Sequence, residues 1–256
     1  MSNDFVDLYQ TLIYNVNMNK QYVEYVKQSL RQYMCEDIDK FKYFHKTDKG
    51  GYAEHDIFLG IKVPDIRNVA KKVYNEISFN EIQQLLDSKY HEERLCALII
   101  LVLKMKIADK EIKDKIVSFY LENTHNINGW DLVDLSAPYI LGEYILEDKE
   151  KVDMLYDLTD TEDMWKQRIS IVANLSIIRS GEYIHILNIA KKHLNTKHDL
   201  IKKAVGWMLR EVGKKDYNTL YEFLSKWYKQ MPRTMLRYSI EKFDKKTYKK
   251  FLKGEI

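Results

Sequence analysis

The chain has 256 residues and a formal net charge of +3, enough for one large domain or two small ones around a packed interior. Only 3 Pro and 9 Gly leave little material for turns, and few breakers among many Leu, Ile, Lys and Glu point to an all-α chain. No apolar run approaches about 18 residues, and Met1-Ser2-Asn3-Asp4 opens without a basic or apolar stretch, so neither a membrane nor a secreted protein is expected. Cys35 and Cys96 lie far apart and give neither a disulfide framework nor a metal-ligand spacing, which fits a reducing cytoplasm.

In chain order, helices are expected over roughly 3–15 and 20–34, the second with Tyr22, Val26 and Leu30 at helical steps. A loop follows, Phe41-Lys42-Tyr43-Phe44-His45-Lys46-Thr47-Asp48-Lys49-Gly50-Gly51-Tyr52. Its cations and aromatics can lie along a nucleic-acid strand, or the aromatics can simply tuck the loop down. In Phe58-Leu59-Gly60-Ile61-Lys62-Val63-Pro64-Asp65-Ile66-Arg67, Pro64 reads as the first position of a helix running to about Tyr74. The apolar lead-in Ile57 to Val63 reads as a buried connector, because nothing nearby in sequence offers it a strand partner.

From residue 79 the rhythm is regular. Helices are expected near 79–88, 91–106, 109–122, 130–146, 149–158, 163–179, 182–194, 198–213, 216–228, 232–242 and 244–253. Near 91–106, Leu95, Leu98, Ile99, Val102 and Met105 make one apolar face; near 163–179, Ile169, Val172, Ala173 and Ser176 do the same with smaller residues. Helix pairs recurring every 35 to 45 residues or so suggest a curved HEAT-like or armadillo-like solenoid with a concave surface. No linker is visible, so residues 1–256 are expected to form a single domain.

Charge is unevenly spread. Residues 191–256 hold 18 Lys and Arg against 7 Asp and Glu, a net of +11, while the preceding 190 residues carry −8. A basic C-terminal third suggests a polyanion partner, phosphate backbone being the commonest; a solvated lysine-rich surface is the alternative.

The stretch Asn128-Gly129-Trp130-Asp131-Leu132-Val133-Asp134-Leu135-Ser136-Ala137-Pro138 concentrates the chemistry. Trp130 and Asp134 are one helical turn apart and share a face. With Asn128 as N-cap, Asp131 would fall at N3, where the free amides and the helix dipole favour its charge. Asp134 is left without such a task, and Pro138 cannot donate to its carbonyl, so the helix is expected to kink or break between them. Asp134 then either pairs with something distant or faces a ligand. Farther on, Ile201, Ala204, Val205, Met208 and Val212 form the buried side of a helix whose other side carries Lys203, Trp207, Arg210 and Lys214. Trp207 is either a wedge between helices or an exposed indole among cations. Arg168 lies between the two tryptophan sites and, taken alone, reads as one half of a surface ion pair.

Together these residues resemble the HEAT-like-repeat DNA alkylation repair glycosylases of the AlkD type. The likeness spans about residues 40 to 245 and is carried by five stretches in order: Lys46 to Tyr52 with Phe58 to Arg67; Trp130 to Asp134 with Ser136-Ala137-Pro138; Trp165 with Gln167-Arg168; Lys203 to Glu211; and Met231-Pro232-Arg233-Thr234-Met235-Leu236-Arg237-Tyr238.

The resemblance implies hydrolysis of the N-glycosidic bond of N3- or N7-alkylated purines in duplex DNA, with the base left stacked rather than flipped. It puts the catalytic carboxylate at Asp134, flanked by the indoles of Trp130 and Trp207, and implies that Arg168 holds a backbone phosphate bidentately. Lys46, Lys49, Tyr52, Lys203, Arg210, Lys214, Arg233 and Arg237 are the candidate DNA contacts. It implies a monomer without cofactor or metal, working in the cytoplasm on the nucleoid. Some relatives carry a second aromatic where this chain has Gly129, which bears on how tightly the lesion's sugar is packed. A non-catalytic helical scaffold that binds damaged or branched DNA, or protein, is the competing expectation.

Overall fold

The structure, a computed structural model, describes residues 22–35, 38–54 and 56–256; the helix expected over 3–15 lies outside them. Among the described residues the regular elements are helical, and none is long and apolar enough to cross a membrane. Internal contacts divide the chain into two compact units, one ending at Leu132 and one beginning at Val133. The division falls inside the helix Trp130–Ala137, so no change of composition marks it.

In the first unit, residues 22–31 form α1, which buries Val23, Val26 and Leu30. Then come α2 (Asp39–His45), α3 (Val63–Val73), α4 (Phe79–Leu86), α5 (His91–Ile107) and α6 (Lys110–Glu122). Helix α3 starts one residue earlier than Pro64 suggests: Lys62 is the N-cap and the proline occupies the second position, still within the turn that lacks hydrogen-bond acceptors. At α4, Ser78 and Glu81 form a capping box, each side chain bonding the other's backbone amide. Helix α5 packs against α3, α4 and α6. Its expected apolar face is buried, but so are Cys96, Ala97, Ile100 and Leu101, which makes α5 the central helix of this unit rather than an amphipathic one.

The connector Ile57–Val63 makes one isolated parallel bridge, Ile57 to Tyr90, with the His91 amide donating to the Ile57 carbonyl at 2.9 Å. The Leu59 carbonyl accepts from the Cys35 amide at 3.4 Å, and three successive amides of the connector are satisfied by a side chain. The buried Glu92 carboxylate accepts from the amides of Leu59 (2.9 Å), Gly60 (2.8 Å) and Ile61 (3.2 Å). A single carboxylate thus replaces the strand that the sequence does not supply.

Helix α7 (Trp130–Ala137) starts later than an Asn128 cap would place it, which puts Asp131 at the second position. It does not break at Pro138. Residues Pro138–Gly142 widen into a π-helical turn in which the Glu143 amide bonds the Pro138 carbonyl five residues back. That carbonyl also accepts from the Ser176 hydroxyl at 2.8 Å. The chain continues through α8 (Glu143–Glu147), α9 (Asp153–Thr159), α10 (Met164–Arg179), α11 (Ile184–Lys192), α12 (Asp199–Lys215), α13 (Tyr217–Trp227), α14 (Arg233–Ser239) and α15 (Lys245–Lys253).

Helix α12 lies between α10 and α14 and also packs on α11 and α13, while α10 packs on α9. Helix α10 is buried from Arg168 to Ile178, beyond the four small residues that mark its expected face. Two of its buried side chains donate to backbone: the Ser170 hydroxyl to the Leu155 carbonyl (2.7 Å) and the Asn174 amide group to the Ser170 carbonyl (2.8 Å). Helices α7, α10, α12 and α14 begin at 130, 164, 199 and 233, a period of 34 to 35 residues that defines a helical repeat.

Candidate active site

That period brings four residues to one repeat position. The fifth residue of α7, α10, α12 and α14 is Asp134, Arg168, Lys203 and Arg237 in turn. In the second unit, Arg168 grips Asp134 with a fork: Nε to Oδ1 at 3.1 Å, Nη2 to Oδ1 at 2.9 Å and Nη2 to Oδ2 at 2.9 Å. Its remaining nitrogen, Nη1, donates to the Leu200 carbonyl at 2.7 Å. The guanidinium side chain is only 6% exposed, whereas Asp134 retains 17%. Asp134 is therefore a carboxylate gripped by a fork and still partly exposed. Arg168 has its donors turned inward, so here it orients an acid rather than offering a free fork to phosphate.

On α12 the five expected core residues are fully buried, and the opposite side is more balanced in charge than its cations suggest. Trp207 is half-buried, and its indole N–H donates to Glu211 at 3.1 Å. Lys214 bonds the same carboxylate at 2.7 Å, Lys203 pairs with Asp199 at 2.7 Å, and Arg210 pairs with Glu241. The Asp199 hydrogen bond chiefly, against partial burial, pushes the Lys203 pKa up; smaller effects come from the Tyr238 phenol and from Arg168. Lys203 is thus near both of those groups. Arg233 donates to the Leu252 carbonyl at 2.6 Å, and Arg237 is exposed beside Tyr238.

In the first unit, Lys46 ends α2 in the left-handed region (φ 50°), exposed like Lys49, while Tyr52 is half-buried. Trp130 is half-buried, and its indole stacks on the His45 ring, centroids 5.2 Å apart and planes 16° from parallel. His45 also touches Phe58 and His91. Around this aromatic group lies a buried ionic network that sequence reasoning missed. His91 Nδ1 donates to Asp56 at 2.9 Å and Nε2 to Asp131 at 2.8 Å; Arg94 donates to Asp56 at 2.7 Å and to the Asn128 side chain at 3.1 Å.

Burial alone would lower the His91 pKa, but the Asp131 charge and the hydrogen bonds to Asp131 and Asp56 outweigh it and raise the value to about 9. The ring is therefore an imidazolium between two carboxylates. Burial would raise the pKa values of Asp131 and Asp56, yet His91, aided by His45 at Asp131 and by Arg94 at Asp56, holds both below the usual carboxylate range. Asp131 thus spends its charge on His91 rather than mainly on the start of α7.

Atoms of His45, His91 and Asp131 lie within 4.8 Å of one another, close enough to consider a metal. With both ring nitrogens donating to carboxylates, however, His91 is a cation and offers no lone pair. The sequence signal for the network was the run His91-Glu92-Glu93-Arg94 at the head of an apolar helix, four charged or polar residues all buried.

Gly129 also has a steric reason. A Cβ there would lie 3.0 Å from the His91 ring, 3.1 Å from the Asp131 carboxylate and 3.3 Å from Leu132. An aromatic at this position would need the network rebuilt.

The fold and this geometry define an all-α helical-repeat protein with a fixed acid in the row its repeat creates. The sequence model of the DNA alkylation repair enzyme family matches residues 26–243, and the chain belongs to that family, which gives it a role in DNA repair with DNA as its partner. A solved structure described as a predicted DNA alkylation repair enzyme from Enterococcus faecalis superposes with a TM-score of 0.64 at 15% identity, covering 81% of this chain and 94% of that one; at that identity the likeness speaks for the fold. A search of curated proteins finds no match to this chain.

Proposed function

We propose that this chain is a DNA glycosylase that hydrolyses the N-glycosidic bond of cationic N3- and N7-alkylated purines in duplex DNA, acting as a cytoplasmic monomer. The observation that carries the reading is Asp134, a carboxylate fixed by a bidentate buried arginine yet 17% exposed. An alkylated purine of this kind is already positive and leaves as a neutral base, so no general acid is required. The group that needs stabilising is the oxocarbenium-like sugar. A preorganised carboxylate does this electrostatically and orients the attacking water.

In this mechanism Arg168 is a positioning residue that keeps Asp134 pointed. The indoles of Trp130 and Trp207 add cation–π attraction, about 0.5–2 kcal/mol each. Lys46, Lys49, Tyr52, Lys203, Arg210, Lys214, Arg233 and Arg237 supply salt-sensitive contact to the sugar–phosphate backbone. Because recognition rests on backbone and sugar, the lesion stays stacked, and selectivity follows the lability of its glycosidic bond.

A competing reading is a DNA-binding scaffold without catalysis, favoured by the closed pairs Asp134–Arg168, Lys203–Asp199 and Arg210–Glu241. Release of 7-methylguanine or 3-methyladenine from methylated duplex DNA separates the two. The wild type should release base, and Asp134→Asn should lose release while still binding DNA. Release no faster than spontaneous depurination gives the scaffold reading the field.

A further inference from the structure

The repeat position that holds Asp134, Arg168 and Lys203 ends at Arg237, and Arg237 opens into a cavity separate from the acid. This cavity, about 490 Å³, is lined by Thr234, Arg237, Tyr238, Glu241 and Tyr248, contributed by α14, the turn after it and α15. Its size lies within the roughly 300–1,000 Å³ typical of small-ligand sites. Its lining is unlike a gap in a hydrophobic core: two half-buried tyrosines, an exposed guanidinium, a hydroxyl and a carboxylate. We infer that this cavity binds one nucleobase together with its phosphate.

The chemistry of the lining fits that ligand part by part. Tyrosine rings stack any base without regard to sequence. Arg237 has no partner among the described residues and can take a phosphate with two parallel hydrogen bonds. Glu241 does not repel that phosphate, because Arg210 and Lys242 both pair with it, the latter at 3.2 Å. Thr234 adds a short hydroxyl for a base edge or a phosphate oxygen. The exposed Lys245, Lys246, Lys249 and Lys250 on α15 make the surroundings strongly positive and raise the local concentration of anions.

Two features set this site apart from the proposed glycosylase centre. The cavity lining of Thr234, Arg237, Tyr238, Glu241 and Tyr248 includes none of Asp134, Trp130, Arg168 and Trp207. In addition, Tyr248 and the rest of α15 lie beyond residue 243, where the family match ends. One wall of the cavity thus belongs to this chain and not to the matched family span.

The nucleotide can come from a DNA strand, as an unpaired or extruded residue, or from the free pool. The test uses the full chain and unalkylated DNA, so its outcome is independent of base release. A dye-labelled duplex with a single unpaired 2-aminopurine is titrated by anisotropy against the fully paired duplex, and dAMP is added as competitor. A strand source predicts binding of the bulged duplex about tenfold tighter, with 2-aminopurine emission quenched by stacking. Tyr248→Leu should abolish that preference and leave paired-duplex affinity within about twofold, and Tyr248→Phe should retain it. Competition by dAMP with no advantage for the bulge assigns the cavity to free nucleotides instead. Neither preference nor competition, or equal losses on both duplexes in Tyr248→Leu, overturns the proposal.

Discussion

Cutting the Asp134–Arg168 pair from either end should show how firmly the acid is held. Three variants suffice: Asp134→Asn, Arg168→Met and the double change. The side chains are 17% and 6% exposed and share three hydrogen bonds. Unit charges about 4 Å apart attract by about 4 kcal/mol at an effective dielectric near 20, and removing one partner of a buried pair typically costs about 3–5 kcal/mol.

Each single variant should therefore lose about 3 kcal/mol or more, Arg168→Met also removing the guanidinium donor to the Leu200 carbonyl. In the double variant no uncompensated charge remains, so its loss should fall about 2–4 kcal/mol short of the sum. Reversible urea unfolding of all four proteins measures the difference. Losses that add to within about 0.5 kcal/mol would mean a loosely coupled surface contact, and the claim of a preorganised Asp134 would fail with it.

Three other outcomes follow from the geometry. Glu92→Ala strands three buried amides at about 1–3 kcal/mol each, so a loss of at least about 3 kcal/mol is expected in urea; a loss under about 1 kcal/mol would contradict the assigned bonds. His91 is raised from 6.5 to about 9 in the fold, so its stabilisation is complete below pH 6.5 and disappears as pH climbs through about 9, on the order of 3 kcal/mol. Melting temperatures at either end of that window should diverge in the wild type and not in His91→Gln. Gly206→Ala would set a Cβ 2.5 Å from the Tyr238 Cβ and 2.6 Å from the Met235 carbonyl oxygen. Because the second obstacle is backbone, α14 must shift at about 1–3 kcal/mol. A melting temperature equal to wild type would refute that contact.

Helix existence was legible because it rests on local periodicity and few breakers, and the spans from 79 onward match the sequence expectation to within a few residues, the long one through Pro138 included. The repeat was legible in spirit, but its register was not. The alignment of Asp134, Arg168, Lys203 and Arg237 becomes visible only when the helix starts are known. Prolines were read less well: Pro64 sits one residue further into its helix than its preference suggests, and Pro138, expected to kink or break its helix, widens it into a π-turn just after the expected place. The sequence marked Asp134, Trp130, Trp207 and Arg168, yet could not say that Arg168 and Asp134 bind one another across 34 positions. Least legible was the His91-Glu92-Glu93-Arg94 run. Charged side chains at a helix head look like a solvated first turn, and only tertiary packing reveals four of them buried, bonded to Asp56, Asp131, the amides of Leu59 to Ile61 and, for Glu93, Ser88 and Arg31.

The Glu92 tripod has a practical corollary for anyone who would graft the Phe58–Arg67 stretch onto another scaffold. Its shape is not written in its own residues: an anion thirty-odd positions downstream dictates it, by gathering three neighbouring amides onto two oxygens. Moved without α5, the segment would lose its template and behave as an ordinary tether.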